Sequence, residues 1–195
     1  SSRALQKTTY FSIVLEHVYR QSDQHFINLL NKIRDNQIGS AEMDLINSRY
    51  KPDFDPGNEN YIILTTHNAK ARQVNDTKLS RLKGKTVSYR AEITGNFPEY
   101  TFPTEVDLHL KTSAQVMFVK NDPNPEKEYF NGKIGTVVEL KANEIVVQCP
   151  DDSEPIHVSK VEWKNIKYSI DDESKEIKEQ VEGTFLQVPL KLAWA

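Results

Sequence analysis

Several common features are missing from this 195-residue sequence, and each absence removes a class of protein. Cys149 is the single cysteine, so an internal disulfide is impossible and a reducing compartment is expected, such as the bacterial cytoplasm. Without a Cys/His cluster, a structural zinc site is not expected. No apolar run approaches a membrane span, and the first residues lack the layout of a signal peptide. We therefore expect no membrane partner.

Charge is distributed unevenly along a chain whose composition is otherwise ordinary for a soluble globular protein. The net charge is −3, yet residues 70–90 hold seven basic residues and one acid. Residues 151–182 reverse this, with ten acids and five lysines. A basic face on a mildly acidic protein indicates a confined contact with a polyanion. A solvated helix face without a ligand explains the same charges equally well.

The two ends of the sequence are unusual. Ser1 stands where an initiator methionine is expected, and residues 190–195 form an apolar, strand-like run without a polar tail. We expect the sequence to be a piece of a longer protein.

The first third of the chain predicts a strand followed by two helices. Residues 10–15 (YFSIVL) form an apolar run typical of a central strand. A helix is expected after an N-cap at Ser22 or Asp23, and it should end within residues 35–39, where Gly39 offers a C-terminal signal. A weaker helix is predicted near residues 41–49. The apolar repeat that predicts the first helix is Phe26, Leu29, Leu30 and Ile33.

Residues 61–84 predict a strand, a tight turn and a helix. Residues 61–65 (YIILT) are apolar without alternation, as a buried strand of a parallel sheet requires. A helix should follow from Ala69 to about Leu82, with Asn68 as its N-cap and Gly84 just past its end. This geometry also presents free backbone N–H groups to a phosphate. Capping is the favoured role of Asn68, and it does not exclude a ligand contact.

From Thr86 onward the sequence is rich in short strands. Within residues 115–140, Asn131 and Gly132 predict a hairpin whose two turn residues both have positive φ, and Gly135 permits a tight bend. Residues 171–182 read as a charged connector, and residues 183–195 as a last strand. Short strands after a β-α unit indicate a β-barrel inserted into an α/β domain.

Four segments, in order, carry a more specific pattern. They are residues 18–34, 64–84, 110–137 and 188–195. Together they resemble the second half of the motor in superfamily 1B DNA helicases of the Pif-one and RecD-like type. One segment alone is weak, because the hairpin of residues 115–140 also resembles a KOW-type RNA-binding module. The resemblance rests on all four in the family's order.

The resemblance implies a partial RecA-like parallel-sheet domain with an inserted small Src-homology-like β-barrel. Residues 1–105 would be the first part of the RecA-like domain, residues 106–182 the barrel, and residues 183–195 the return strand, truncated before helicase motif V. The phosphate loop, the acidic magnesium motif and motif VI are absent, so the first RecA-like domain would be a missing partner. ATP and Mg are expected in the full-length parent, and no cofactor or ATP hydrolysis in this chain alone.

The resemblance also assigns candidate site residues. Arg20 would be the catalytic, nucleotide-binding arginine that reaches the γ-phosphate, with Gln21 supporting it. Single-stranded DNA would be a weakly bound partner, held through backbone phosphates. The candidate DNA-binding residues are His67, Asn68, Lys70, Arg72, Lys120, Asn121, Tyr129 and Lys133. Of the neighbouring aromatics, Tyr129 is expected to be exposed and Phe130 to pack in the core.

Two further interpretations stay open. The chain could be a KOW-like or Src-homology-like module that binds nucleic acid or protein without catalysis, which the hairpin favours and the α/β front does not. It could also be a structural interaction domain without a polyanion ligand.

Overall fold

The computed structural model describes residues 3–15, 21–54, 61–150, 152–171 and 176–195. They form a mixed α/β protein that divides into two compact units, Ser1–Asp55 and Pro56–Ala195. We describe each unit by itself. In the described residues, no helix has the length and apolar character needed to cross a bilayer.

Among its described residues, the first unit contains three helices and no strand: α1 (Arg3–Lys7), α2 (Gln24–Arg34) and α3 (Ser40–Asn47). Asp23 is the N-cap of α2, because its Oδ1 accepts the N–H groups of His25 (2.9 Å) and Phe26 (3.1 Å). The helix ends at Arg34, one residue before the predicted range of 35–39, and Asp35 is its C-cap. Gly39 serves the next helix instead, as the N-cap of α3, where its N–H donates to Glu42 Oε2 at 2.9 Å.

The strand predicted at residues 10–15 is wrong. This segment has no regular secondary structure, and its large apolar side chains are exposed, with Phe11 at 95% and Leu15 at 89%. A strand needs a neighbour that satisfies its backbone groups. The described residues of the first unit contain no strand that could pair with this segment, so its apolar character alone does not produce a strand.

The second unit contains one helix, ten strands and a short 3₁₀ helix at Glu99–Thr101 among its described residues. The helix is α4 (Asn68–Arg81). The strands are β1 (Val87–Arg90), β2 (Glu92–Gly95), β3 (Asp107–Leu110), β4 (Gln115–Phe118), β5 (Ile134–Leu140), β6 (Ile145–Gln148), β7 (Ile156–Val158), β8 (Val161–Ile170), β9 (Ile177–Gln187) and β10 (Leu190–Leu192). They form three sheets with the orders β1-β3, β10-β4-β5-β6-β7 and β2-β9-β8.

Every strand pair in the described part of the second unit is antiparallel. The parallel strand predicted at residues 61–65 is therefore wrong. The segment is irregular and Leu64 is 92% exposed. It is held instead by Ile63, whose N–H donates to the carbonyl of Trp194 at 2.9 Å. β10 itself lies antiparallel to β4, with Leu190 opposite Phe118.

The core of the second unit lies under the five-stranded sheet and contacts α4 through Leu79. Close packing explains one glycine: a Cβ at Gly135 would lie 2.4 Å from Val147 Cγ1 and 2.9 Å from the carbonyl of Gln148. β5 therefore passes β6 where no side chain fits, and its register shifts between Val137 and Glu139. The fully buried side chains of this core include Leu108, Leu110, Val116, Phe118, Ile145, Val147, Val158, Val188 and Leu190.

The Asn131-Gly132 turn differs from the predicted two-residue hairpin. Gly132 has φ +99°, whereas Asn131 is not among the non-glycine residues with positive φ. The Lys133 N–H bonds to the Phe130 carbonyl at 3.0 Å, as in a type II turn. β4 and β5 do pair antiparallel, but residues 119–133 connect them. The turn lies within this connection.

β8 and β9 form a long antiparallel ribbon, and the first half of β9 lies within the segment predicted as a charged connector. Ile177 pairs with Ile170 and Val181 with Ile166, so β9 begins well before residue 183. The prediction of a connector at residues 171–182 is therefore wrong for the described part of this segment. Lys178, Glu179 and Gln180 separate Ile177 from Val181, so this part of β9 lacks the apolar alternation by which a strand is recognised in sequence.

Candidate nucleic-acid interface

The N-terminus of α4 is open to solvent. His67, not Asn68, is the N-cap, and Asn68 is the first helical residue. The N–H groups of Lys70 and Ala71 both donate to the carbonyl of His67, at 3.0 and 3.3 Å. The N–H groups of Asn68 and Ala69 have no acceptor in the part of the chain that the structure describes. Unpaired N–H groups and the helix dipole make this end suitable for an anion.

Two threonines hold His67 in place. Thr65 Oγ1 donates to the His67 carbonyl at 3.1 Å, and Thr66 Oγ1 lies 2.8 Å from His67 Nδ1. His67 remains exposed, as do Asn68 and Lys70. Residues 65–70 therefore present an imidazole, two free N–H groups and an ammonium at one helix end.

The predicted contacts Lys70 and Arg72 have different surroundings. Lys70 is exposed and makes no ion pair with any described residue. Arg72 lies near two acids, Asp76 and Glu105. Burial and then Asp76 raise the pKa of Glu105, whereas the positive charges of Arg72 and His109 lower it. The structure thus brings Lys70, but not Arg72, into an environment free of competing carboxylates.

Asn75 attaches α4 to the segment after β10. Its Nδ2 donates to the carbonyls of Leu192 (3.3 Å) and Ala195 (2.9 Å), and its Oδ1 accepts the N–H groups of Trp194 (3.0 Å) and Ala195 (2.9 Å). The buried Gln115 adds a second link, since its Nε2 donates to the carbonyls of Tyr61 (3.0 Å) and Ala193 (2.8 Å). The sequence patterns did not indicate these two roles.

Lys120 and Asn121, both predicted to bind DNA, are engaged within the protein. Lys120 Nζ donates to the carbonyl of Glu162 and lies 4.8 Å from the centroid of the Trp163 ring. Burial lowers the pKa of Lys120, against the opposing effect of Glu162. Asn121 Oδ1 accepts the N–H of Asn131 at 2.8 Å. Both side chains hold the β4–β5 connection.

Lys133 is engaged in the same way. Its Nζ lies 2.6 Å from Asp152 Oδ2 and donates to the carbonyl of Glu128 at 2.8 Å. Only 14% of its side chain is exposed. This ammonium is therefore mostly covered by its protein partners.

The expected exposure of the two neighbouring aromatics is wrong, because Tyr129 is buried (6% exposed) and Phe130 is exposed (59%). Tyr129 stacks on Phe118 with ring centroids 4.3 Å apart. Burial, with the nearby acids, raises the pKa of Tyr129 to about 12. The buried Asp122 carboxylate accepts the N–H groups of Asn124 and Glu128 and so orients the connection that contains Tyr129.

Arg20, the candidate catalytic arginine, lies outside the described residues. Gln21, its predicted support, is described: its Oε1 accepts the N–H groups of Ser22 (2.9 Å) and Asp23 (3.0 Å). Gln21 thus shapes the chain as it enters α2. In the described ranges, no group of His, Cys, Asp or Glu side chains could hold a metal ion.

Comparison with known proteins gives a consistent set of relatives, although no protein-family model matches the chain. The ATP-dependent DNA helicase Pif1 of Bdellovibrio bacteriovorus is 29% identical over 191 residues, covering 94% of this chain and 40% of that protein. Bacteroides sp Pif1 in complex with ADP-AlF4 matches with a TM-score of 0.80 and 34% identity, over 92% of this chain and 40% of that one. Bacteroides Pif1 bound to ssDNA matches with a TM-score of 0.62 and 35% identity, at the same coverages. The chain thus spans about two fifths of the length of these relatives.

Proposed function

Because this chain belongs to the Pif1-like superfamily 1 helicases, we propose that it is the second motor segment of an ATP-dependent DNA helicase and contacts single-stranded DNA. The observation that carries the proposal is the open N-terminus of α4. There the free N–H groups of Asn68 and Ala69 lie beside the exposed His67 and Lys70. Backbone N–H groups and a lysine suit phosphates, which every nucleotide carries, rather than base edges.

The proposed architecture is a RecA-like domain interrupted by a small Src-homology-like barrel. The antiparallel order β10-β4-β5-β6-β7, the close passage at Gly135 and the register shift after Val137 support a curved, barrel-like sheet. In this proposal, Gln115 joins the barrel entry to the RecA-like segments around residues 61 and 193, and Asn75 joins α4 to the segment at residues 192–195.

The proposed nucleotide chemistry is divided between this segment and a phosphate-binding domain. The sequence has no Gly-x-x-x-x-Gly-Lys-Ser/Thr loop, so its own residues do not form a cradle for ATP and Mg. Arg20 is the residue proposed to reach the γ-phosphate, where a cation stabilises the charge that develops during phosphoryl transfer. Gln21 would fix the backbone that follows it, through its bonds to Ser22 and Asp23.

The DNA contact is tested by fluorescence anisotropy with a labelled oligothymidylate of about 16 nucleotides. This length is at the upper end of the site sizes of single domains that bind single strands. The 195-residue chain is expected to bind weakly and to lose affinity as salt rises from about 50 to 200 mM. Lys70→Ala should weaken binding. Arg90→Ala is the matched control, because Arg90 is exposed and faces Asp107 at 3.8 Å. Affinity that is unchanged by salt, or by Lys70→Ala, contradicts the proposal.

A second candidate is a barrel module that binds RNA or protein, and the exclusively antiparallel pairing of the described strands favours it. An oligouridylate of matched length distinguishes the two. Tighter binding of RNA than of DNA, insensitive to Lys70→Ala, would favour the module.

A further inference from the structure

One side of α4 carries two basic residues, Lys78 and Arg81, that the proposed contact at its N-terminus does not use. At 100° per residue, five residues lie on the side of the helix opposite the buried Leu79, and one of them, Lys78, lies at the edge nearest Asn75. We call them the outer stripe: Lys70, Gln73, Thr77, Lys78 and Arg81. Lys70, Gln73, Thr77 and Arg81 are exposed, whereas Lys78 is half-buried.

The charges of the outer stripe have no partner in the described part of the chain. Lys70, Lys78 and Arg81 form no ion pair there. The helix has one acid, Asp76, and by helical spacing it lies on the side of Arg72, near Glu105. The basic residues of α4 thus divide into one that faces acids and three that do not.

The outer stripe also has a concave surface. Gln73, Val74, Thr77, Lys78 and Arg81 line a shallow groove of about 230 Å³. Val74 gives the groove an apolar patch, and Lys78 and Arg81 give it positive charge. An apolar patch bordered by cations matches a nucleic-acid strand, which has apolar sugar and base faces along a line of phosphates.

Resting on the function proposed above, we propose that the DNA strand continues from the N-terminus of α4 along the outer stripe. Lys70, Lys78 and Arg81 then each neutralise a phosphate, and Arg72 does not. Lys70 and Arg81 are eleven residues apart, or about 16 Å along the helix axis. At about 3.4 Å per nucleotide of a stacked strand, this length fits roughly five nucleotides.

The test is the salt dependence of binding of the 195-residue chain to the labelled oligothymidylate. For single strands, the slope of log K against log salt is about −0.7 per neutralised phosphate. Lys78→Gln and Arg81→Ala should each make the slope shallower by about 0.7, and the double variant by about 1.4. Arg72→Ala and Arg90→Ala remove the same charge elsewhere and should leave the slope unchanged. Alanine and glutamine are good helix formers, so circular dichroism should show an intact α4.

The outcomes separate this inference from the function on which it rests. If the wild-type chain does not bind the oligonucleotide, the proposed function fails. If it binds and responds to Lys70→Ala, but keeps its slope in Lys78→Gln and Arg81→Ala, only the path along the outer stripe is overturned. A slope change in Arg72→Ala equal to that in Arg81→Ala also overturns it, as does an effect of the outer-stripe variants on a duplex but not on a single strand.

Discussion

The carboxamide of Asn75 binds both backbone groups of Ala195: Nδ2 donates to the carbonyl and Oδ1 accepts the N–H, each at 2.9 Å. The same side chain also binds Trp194 and Leu192. A helix side chain here makes the pair of hydrogen bonds that a neighbouring strand would make. The position of α4, and of the candidate phosphate contact at its N-terminus, is thereby fixed against the segment that follows β10.

Asn75→Ala should destabilise the second unit by about 2–3 kcal/mol. The change removes four hydrogen bonds, each worth about 0.5–1.5 kcal/mol net. Water can replace part of this loss by hydrogen bonding to the backbone groups of residues 192–195. Urea denaturation measures the loss, and hydrogen exchange should accelerate at the N–H groups of Trp194 and Ala195. Thr77→Ala is the control on the same helix, because Thr77 Oγ1 bonds only within α4, to Gln73. Equal effects of the two substitutions would contradict this role of Asn75.

Tyr129 and Phe130 should differ sharply in their contribution to stability. Tyr129→Ala removes a buried ring stacked on Phe118 and should cost about 3–5 kcal/mol. Phe130→Ala changes an exposed side chain and should stay within about 0.5 kcal/mol. Thermal and urea unfolding of the two variants give the comparison. A larger loss of stability from Phe130→Ala than from Tyr129→Ala would contradict the buried position of Tyr129 and the exposed position of Phe130.

Glu105 should make the protein more stable as pH falls. Burial and then Asp76 raise the pKa of its carboxyl, so the folded chain holds this proton more tightly than the unfolded chain. The stability is fully present below the unfolded pKa, near pH 4.3, and is lost as pH rises through the folded pKa. Because solvent screens this exposed side chain, Glu105→Gln should raise the melting temperature only slightly at neutral pH and have little effect below about pH 4. Melting temperatures that shift equally at all pH values would show that the carboxyl charge is not the cause.

Arg20 should govern the rate of ATP hydrolysis in a polypeptide that joins this segment to a phosphate-loop domain. Arg20→Ala should lower the kcat of DNA-stimulated hydrolysis by roughly a thousandfold to a hundred-thousandfold, since the cation acts in the transition state. KM for ATP should change far less. Arg34→Ala, at the end of α2, is the control. Turnover by the 195-residue chain alone, above that of its Arg20→Ala variant, would show a nucleotide site that the sequence does not predict.

The helices were the most predictable part of the fold because their signals are local. The apolar spacing after Asp23 gave α2 almost to its ends, and the pattern after residue 68 gave α4 with a shift of one residue at its N-cap. These signals rest on capping and periodicity within one segment. The antiparallel pairing of β4 with β5 followed from local signals as well, although Asn131 and Gly132 do not form the predicted hairpin turn.

The failed predictions depend on contacts between distant residues. The runs at residues 10–15 and 61–65 are apolar enough for strands, but an apolar run does not supply the neighbouring strand. The burial of Tyr129 depends on Asp122, whose carboxylate organises the loop before it. For the candidate site, His67 and Lys70 stay predictions, and the structure shows that both are exposed. The engagement of Lys120, Asn121 and Lys133 depends on partners such as Glu162 and Asp152, which no local pattern indicates.

The most direct measurement of the central claim is the NMR response of individual backbone amides to added oligothymidylate. The account predicts that the amide resonances of Asn68 and Ala69 shift as the strand is added, and that the shifts follow the binding curve and disappear at high salt. His67→Ala should reduce the shifts without changing the spectrum of the five-stranded sheet. Shifts confined to residues 119–133, with Asn68 and Ala69 unaffected, would contradict a phosphate contact at the N-terminus of α4.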